Sequence, residues 1–113
     1  MTLAPLHHTF TDPPREFGIM PFWFWNDRLS EAEIARQLDD FAAHGVYGFV
    51  IHPRAGLPRD TGWMSEKMIG FMRFAIQAAA ERDMWVVLYD EGMYPSGSSS
   101  GQVVQTNTKF RTR

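Results

Sequence analysis

The chain contains no cysteine, which excludes disulfide bonds and metal sites built on thiolates. It has no apolar run near the ~20 residues that cross a bilayer, so we expect no membrane partner. The 11 basic and 13 acidic side chains nearly balance, and the formal net charge of −2 gives no electrostatic reason to bind nucleic acid. No basic segment leads into an apolar one near the N-terminus, so we expect no secretory signal and a cytoplasmic protein.

The length and composition of the chain are sufficient for one modest folded domain. The 113 residues are 44% hydrophobic and 21% charged, a composition that is typical of globular proteins and not of disordered ones. The prolines within residues 1–17 predict an irregular N-terminal segment. Residues 18–104 carry the ordered patterns, and residues 105–113, which show no apolar periodicity, are expected to be an unstructured tail.

The order of predicted elements is β-α-β-α-β. Short apolar runs with abrupt polar ends predict strands, and apolar residues at helical spacing predict amphipathic helices. The strands are expected at Ile19–Trp25, Val46–Ile51 and Met84–Tyr89, and the helices at Ser30–His44 and Glu66–Arg82. Alternation of this kind predicts an α/β fold with a parallel sheet and right-handed crossovers.

The helix ends carry recognisable signals. Ser30 and Glu33 match a capping box, and Ser65 can cap the second helix. Gly45 occupies the position after the first helix where a left-handed backbone is usual. Gly70, inside the second helix, costs about 1 kcal/mol relative to alanine, and close packing is one reason for a glycine there.

Three parallel strands and two helices cannot cover both faces and both edges of a sheet. A complete (β/α)8 barrel takes about 250 residues, a little over twice this length. We therefore interpret the chain as a β-α-β-α-β portion of a TIM-type barrel, from its N-terminal side.

Polar side chains follow every predicted strand. Asn26 and Asp27 follow the first, His52 and Arg54 the second, and Asp90 and Glu91 the third; this last pair is the leading catalytic candidate. In a parallel barrel these strand ends meet at one rim, where ligands bind. Simpler roles remain for each: the two acids can cap a following helix, and a lone histidine is often structural.

Aromatic residues near these ends are candidates for stacking on sugar rings, because indole and phenol rings pack well on the apolar face of a pyranose. The candidates are Trp25, Trp63 and Tyr94, for which a place in the core is the alternative. The Ser/Gly-rich loop at 95–101 lacks the lysine of a Walker A sequence, so we do not expect it to bind phosphate.

Four stretches together resemble a known family. They are PFWFWNDRLS at 21–30, GVYGFVIHPRAGLP at 45–58, MSEKM at 64–68 and WVVLYDEGMYPSGSSSGQV at 85–103. They resemble the N-terminal part of the catalytic barrel of glycoside hydrolase family 106, the α-L-rhamnosidases, over about residues 17–104. The resemblance implies a carbohydrate substrate, hydrolysis of terminal α-L-rhamnosides with inversion, and use of calcium.

The resemblance also implies roles for residues of this chain. Trp25, Asn26, His52 and Arg54 would contact sugar hydroxyls at the rim. The acid and base of the family lie downstream of the matched stretch, so Asp90 and Glu91 would be subsite or metal-shell residues. On that reading the isolated chain is inactive. The alternative is a non-catalytic half-barrel that binds carbohydrate or associates with another copy through its open sheet edges.

Overall fold

The computed structural model describes residues 3–92, 97 and 99–111. Within these residues the chain forms four α-helices, three β-strands and three single-turn 3-10 segments. The helices are α1 (Leu3–Thr11), α2 (Glu31–Ala43), α3 (Glu66–Ala80) and α4 (Gln102–Thr106), and the strands are β1 (Phe22–Trp25), β2 (Gly48–Pro53) and β3 (Trp85–Leu88). The 3-10 segments are Arg15–Phe17, Arg59–Thr61 and Thr108–Phe110.

The three strands form one parallel sheet in the order β1-β2-β3. Val50 of β2 pairs with Phe22 on one side and with Val87 on the other, which fixes the register of all three strands. The predicted α/β class, with a parallel sheet built from β-α-β units, is therefore confirmed.

Both long helices cover the same face of this sheet. The alternation along β1 turns Trp23 and Trp25 toward the helices, and Phe49 and Ile51 of β2 lie beside them. The helices contribute small and branched side chains to this core: Ile34, Leu38, Ala75, Ala78 and Ala79.

A chain of hydrogen bonds ties α2 to the sheet. The indole Nε1 of Trp23 donates to Gln37 at 2.6 Å, and the Gln37 amide donates to Glu33 at 2.8 Å. Arg36 donates two further hydrogen bonds to the same carboxylate. The hydrogen bonds from Arg36 and then from Gln37 lower the pKa of Glu33 from 4.5 to about 2.

The opposite face of the sheet is open. Phe22 and Phe24 of β1 are 52% and 49% exposed, and Trp85 of β3 is 59% exposed. Met20 lies over Gly48 on this face, so close that a Cβ at Gly48 would come within 2.8 Å of the Met20 methyl carbon. The absence of a side chain at Gly48 thus leaves the space that Met20 occupies next to Trp85.

The predicted caps at Ser30 and Ser65 and the turn at Gly45 are confirmed, whereas the Glu33 carboxylate accepts hydrogen bonds from Arg36 and Gln37 in place of the second half of a capping box. The Ser30 hydroxyl accepts from the Glu33 amide and the Ser65 hydroxyl from the Met68 amide, each at 3.2 Å. Gly45 has φ +75°, the left-handed backbone that ends α2. Close packing does not explain Gly70, since a Cβ there would meet nothing within 4 Å.

The termini contain more regular structure than predicted. Residues 1–17 were expected to be irregular, yet α1 occupies Leu3–Thr11. Pro5 lies in its first turn, where the helix does not use the amide hydrogen, and Pro13 follows its end. The expected tail at 105–113 includes the end of α4 and a 3-10 turn. No helix in the described parts of the chain has the length and apolar composition needed to cross a membrane.

Candidate functional site

The carboxyl ends of the strands meet at one edge of the sheet, where the following loops pack tightly. The Arg54 amide donates to the Trp25 carbonyl at 2.9 Å, which carries the β1–β2 pairing past the end of β1. Gly56 has φ +119°, and a Cβ there would lie 2.0 Å from the Asn26 carbonyl oxygen. Only glycine allows this approach, so the loop after β2 is held against exposed Asn26.

His52 lies in an aromatic cluster on the open face. Its ring stacks on Tyr89 with a centroid separation of 4.1 Å and an interplanar angle of 27°. Phe22 and Phe24 approach it edge-on at 5.3 and 5.2 Å. The His52 Nδ1 is buried and has no hydrogen-bond partner among the described residues. Aromatic contacts therefore hold the His52 ring, and its Nδ1 atom has no hydrogen bond to the described residues.

The Tyr89 phenol links this cluster to the acidic pair. Its hydroxyl donates to Glu91 Oε2 at 3.3 Å. Burial first, then the charge and hydrogen bond of Glu91 and the charge of Asp90, raise the pKa of Tyr89, while the Arg54 cation opposes this rise. Asp90 is exposed and Glu91 half-buried, so the two neighbouring carboxylates occupy different environments.

Arg54 sits between the open face and a cleft. Its guanidinium carbon lies 5.0 Å from the centroid of the Phe24 ring, within cation–π distance. The side chain is exposed, and the described residues give it no carboxylate partner. It is therefore a cation available to a ligand.

The cleft beside Arg54 has a volume of about 170 Å³ and contains Trp63. The Trp63 indole donates to the Ser99 hydroxyl at 3.2 Å, and its carbonyl accepts from the Gln102 amide at 2.9 Å. Its ring lies directly on Gly92, where a Cβ would be 2.6 Å from the indole. The remaining lining residues are Pro53, Ala55, Gly56, Leu57, Thr61, Gly62 and Ser100. Sequence reasoning missed Gly92; the only local signal was a glycine directly after two acids.

Trp25 is not a rim residue. It is 2% exposed, lies on the helix-covered face, and meets Trp23 edge-on at 5.5 Å. The period-two alternation of β1 turns its ring into the core, which favours the core alternative over contact with sugar. Its Nε1 is buried without a hydrogen-bond partner among the described residues.

Most of the other predicted site residues lie close to one another. His52, Arg54, Asp90 and Glu91 come together at one edge, with Trp63 in the adjoining cleft, while Tyr94 lies outside the described residues.

Some acids elsewhere in the fold form ion pairs. Asp60 pairs with Lys67, and Asp39 pairs with Arg82 at 2.8 Å. Over the described ranges, no three His, Asp or Glu side chains gather into a group that could hold a metal ion.

Comparisons with known proteins found no relative of this chain. No protein-family model, curated protein or solved structure matches this chain.

Proposed function

We propose that this chain is the N-terminal portion of a (β/α)8 glycoside hydrolase barrel, and that the complete protein hydrolyses terminal α-L-rhamnosides. The topology agrees with a barrel. Strands in sequential order with both crossover helices on one face are what a portion of a (β/α)8 barrel contains, and one half of a doubly wound sheet shares this arrangement. Of the two, the resemblance of the sequence to a glycosidase barrel favours the barrel. The open apolar face would then be the barrel interior.

The observation that carries the proposal is the gathering of His52, Arg54, Tyr89 and the two acids at the carboxyl edge of the sheet. This is the edge at which barrel enzymes bind their substrates. Arginine, histidine and carboxylate groups supply the donors and acceptors that sugar hydroxyls require, and half-buried Trp63 supplies an indole ring for stacking.

Asp90 and Glu91 do not fit the catalytic pair by themselves. Glycoside hydrolysis needs an acid and a second carboxylate on opposite sides of the glycosidic bond, about 5–9.5 Å apart depending on the stereochemistry. Two consecutive residues at the end of one strand cannot bracket a bond in this way. We assign them to a sugar subsite and expect this chain to bind sugar without hydrolysing it.

The test has two measurements on the folded 113-residue chain. The first is hydrolysis of aryl α-L-rhamnoside and other aryl glycosides, with and without calcium. The second is a titration with L-rhamnose followed by amide chemical shifts in NMR. We expect no turnover, and shift changes concentrated at residues 52–54, 63 and 90–92.

Arg54→Ala and Arg59→Ala form a matched pair for the titration. Both remove an exposed arginine from the same loop, but only Arg54 lies at the aromatic edge. We expect the Arg54 variant to weaken binding and the Arg59 variant to leave it unchanged. Turnover by the isolated chain would contradict the subsite assignment, and the absence of any shift change would contradict a carbohydrate function for this edge.

A further inference from the structure

The open face of the sheet is apolar and continuous. Phe22 and Phe24 lie along β1, Val87 and Trp85 along β3, and Met20 bridges the gap left by Gly48. These five apolar side chains are between 43% and 59% exposed. Exposed apolar patches of this size are often functional, and larger ones mark sites of protein association.

Its area agrees with what a specific dimer needs. From these exposed fractions and typical side-chain areas, the patch offers roughly 400 Å² of apolar surface. Two copies would bury roughly 800 Å², and since about 60% of an interface is apolar, this corresponds to roughly 1,300 Å² in total. Specific interfaces bury about 1,200–2,000 Å².

The rim of the open face carries one cation that leans toward β1 and two acids that follow β3. The Arg54 guanidinium leans over Phe24, on the β1 side, and has no carboxylate partner among the described residues. Arg54 follows the central strand β2, and Asp90 and Glu91 follow its neighbour β3. A two-fold axis parallel to the strands keeps both rims at the same end and brings β1 of one copy beside β3 of the other.

We propose that, in the 113-residue chain on its own, a second copy covers the open face about a two-fold axis parallel to the strands, in the place that the remaining strands would take in a complete barrel. The apolar faces pack against each other, and Arg54 of each copy faces the acidic pair that follows β3 of its partner. The contact is isologous and closes at two copies. The inference does not depend on sugar chemistry: a monomeric chain that still binds rhamnose would overturn the dimer and leave the proposed function standing.

The first test is sedimentation velocity of the whole chain over a range of concentrations. We expect a species of twice the 13.0 kDa chain mass. Phe24→Gln should raise the dimer dissociation constant by about tenfold or more, with the fold checked by circular dichroism. Val87→Gln, on β3 of the same face, should raise the dimer dissociation constant in the same way.

Ile76→Gln is the matched control. Ile76 is also an exposed apolar residue, at 39%, but it lies on α3, on the covered side of the sheet. We expect the dimer dissociation constant of the Ile76→Gln variant to equal that of the unchanged chain. A monomer at every concentration, a ladder of larger species, or an equal loss in the Ile76 and Phe24 variants would each overturn the proposal.

A charge exchange tests the arrangement of the rims. Arg54→Glu should weaken the dimer by placing like charges across the axis, and adding Asp90→Arg should recover most of the loss. Failure of the double variant to recover would overturn the two-fold arrangement that pairs these rims.

Discussion

Gly70→Ala should stabilise the protein. Gly70 is the fifth residue of α3, is exposed, and has no atom within 4 Å of the position that a Cβ would take. The methyl group therefore meets no obstacle. Alanine is favoured over glycine in a helix interior by about 1 kcal/mol, mainly because the unfolded glycine has more conformations to lose.

Gly45→Ala is the matched substitution. A Cβ at Gly45 would also meet nothing within 4 Å, but the backbone there has φ +75°. The left-handed conformation costs a residue with a Cβ about 1–2 kcal/mol. Two glycines with equal space around them should thus respond in opposite directions, and only the backbone angle distinguishes them.

Urea unfolding of the unchanged chain and both variants, followed by circular dichroism, measures the difference. We expect the free energy of unfolding to rise by about 1 kcal/mol for Gly70→Ala and to fall by about 1 kcal/mol for Gly45→Ala, with similar m-values. A loss of stability in the Gly70 variant would refute the reasoning, because it would show that the outer side of α3 is in contact with something at this position.

Three further outcomes are expected. Gly92→Ala should destabilise the fold by about 1–3 kcal/mol and move the Trp63 indole signal in NMR, because the added Cβ would lie 2.6 Å from the ring; an unmoved signal would contradict this packing. Glu91→Gln should lower the raised pKa of Tyr89, measured by NMR titration of the labelled phenol, since the Glu91 charge and hydrogen bond help to raise it. Because the pKa of Glu33 falls from 4.5 to about 2 on folding, its carboxylate stabilises the fold fully above pH 4.5 and loses that contribution as the pH drops to about 2. In thermal unfolding, the stability of the unchanged chain relative to Glu33→Gln should therefore decrease as the pH falls from 4.5 to about 2. A difference in stability at pH 2 as large as that above pH 4.5 would contradict this expectation.

Local patterns in the sequence predicted much of the fold because they act over a few residues. The caps at Ser30 and Ser65 and the turn at Gly45 were readable from residue type alone, since each satisfies backbone groups of its own helix. The separation of Trp23 and Trp25 from the phenylalanines follows from the period of a strand. The proline content of residues 1–17 does not predict helix α1, because a proline breaks a helix interior, whereas Pro5 lies in the first turn, where proline is tolerated.

The sequence by itself determined which residue types end each strand, and therefore that His52, Arg54 and the acidic pair would share one edge of a parallel sheet. It could not decide which of the two faces of the sheet the helices would cover. Burial against two helices removed Trp25 from the site, and contact between distant loops placed Trp63 on Gly92. Side-chain chemistry is local, whereas exposure and proximity depend on elements far apart in the chain, so only the tertiary structure could decide them.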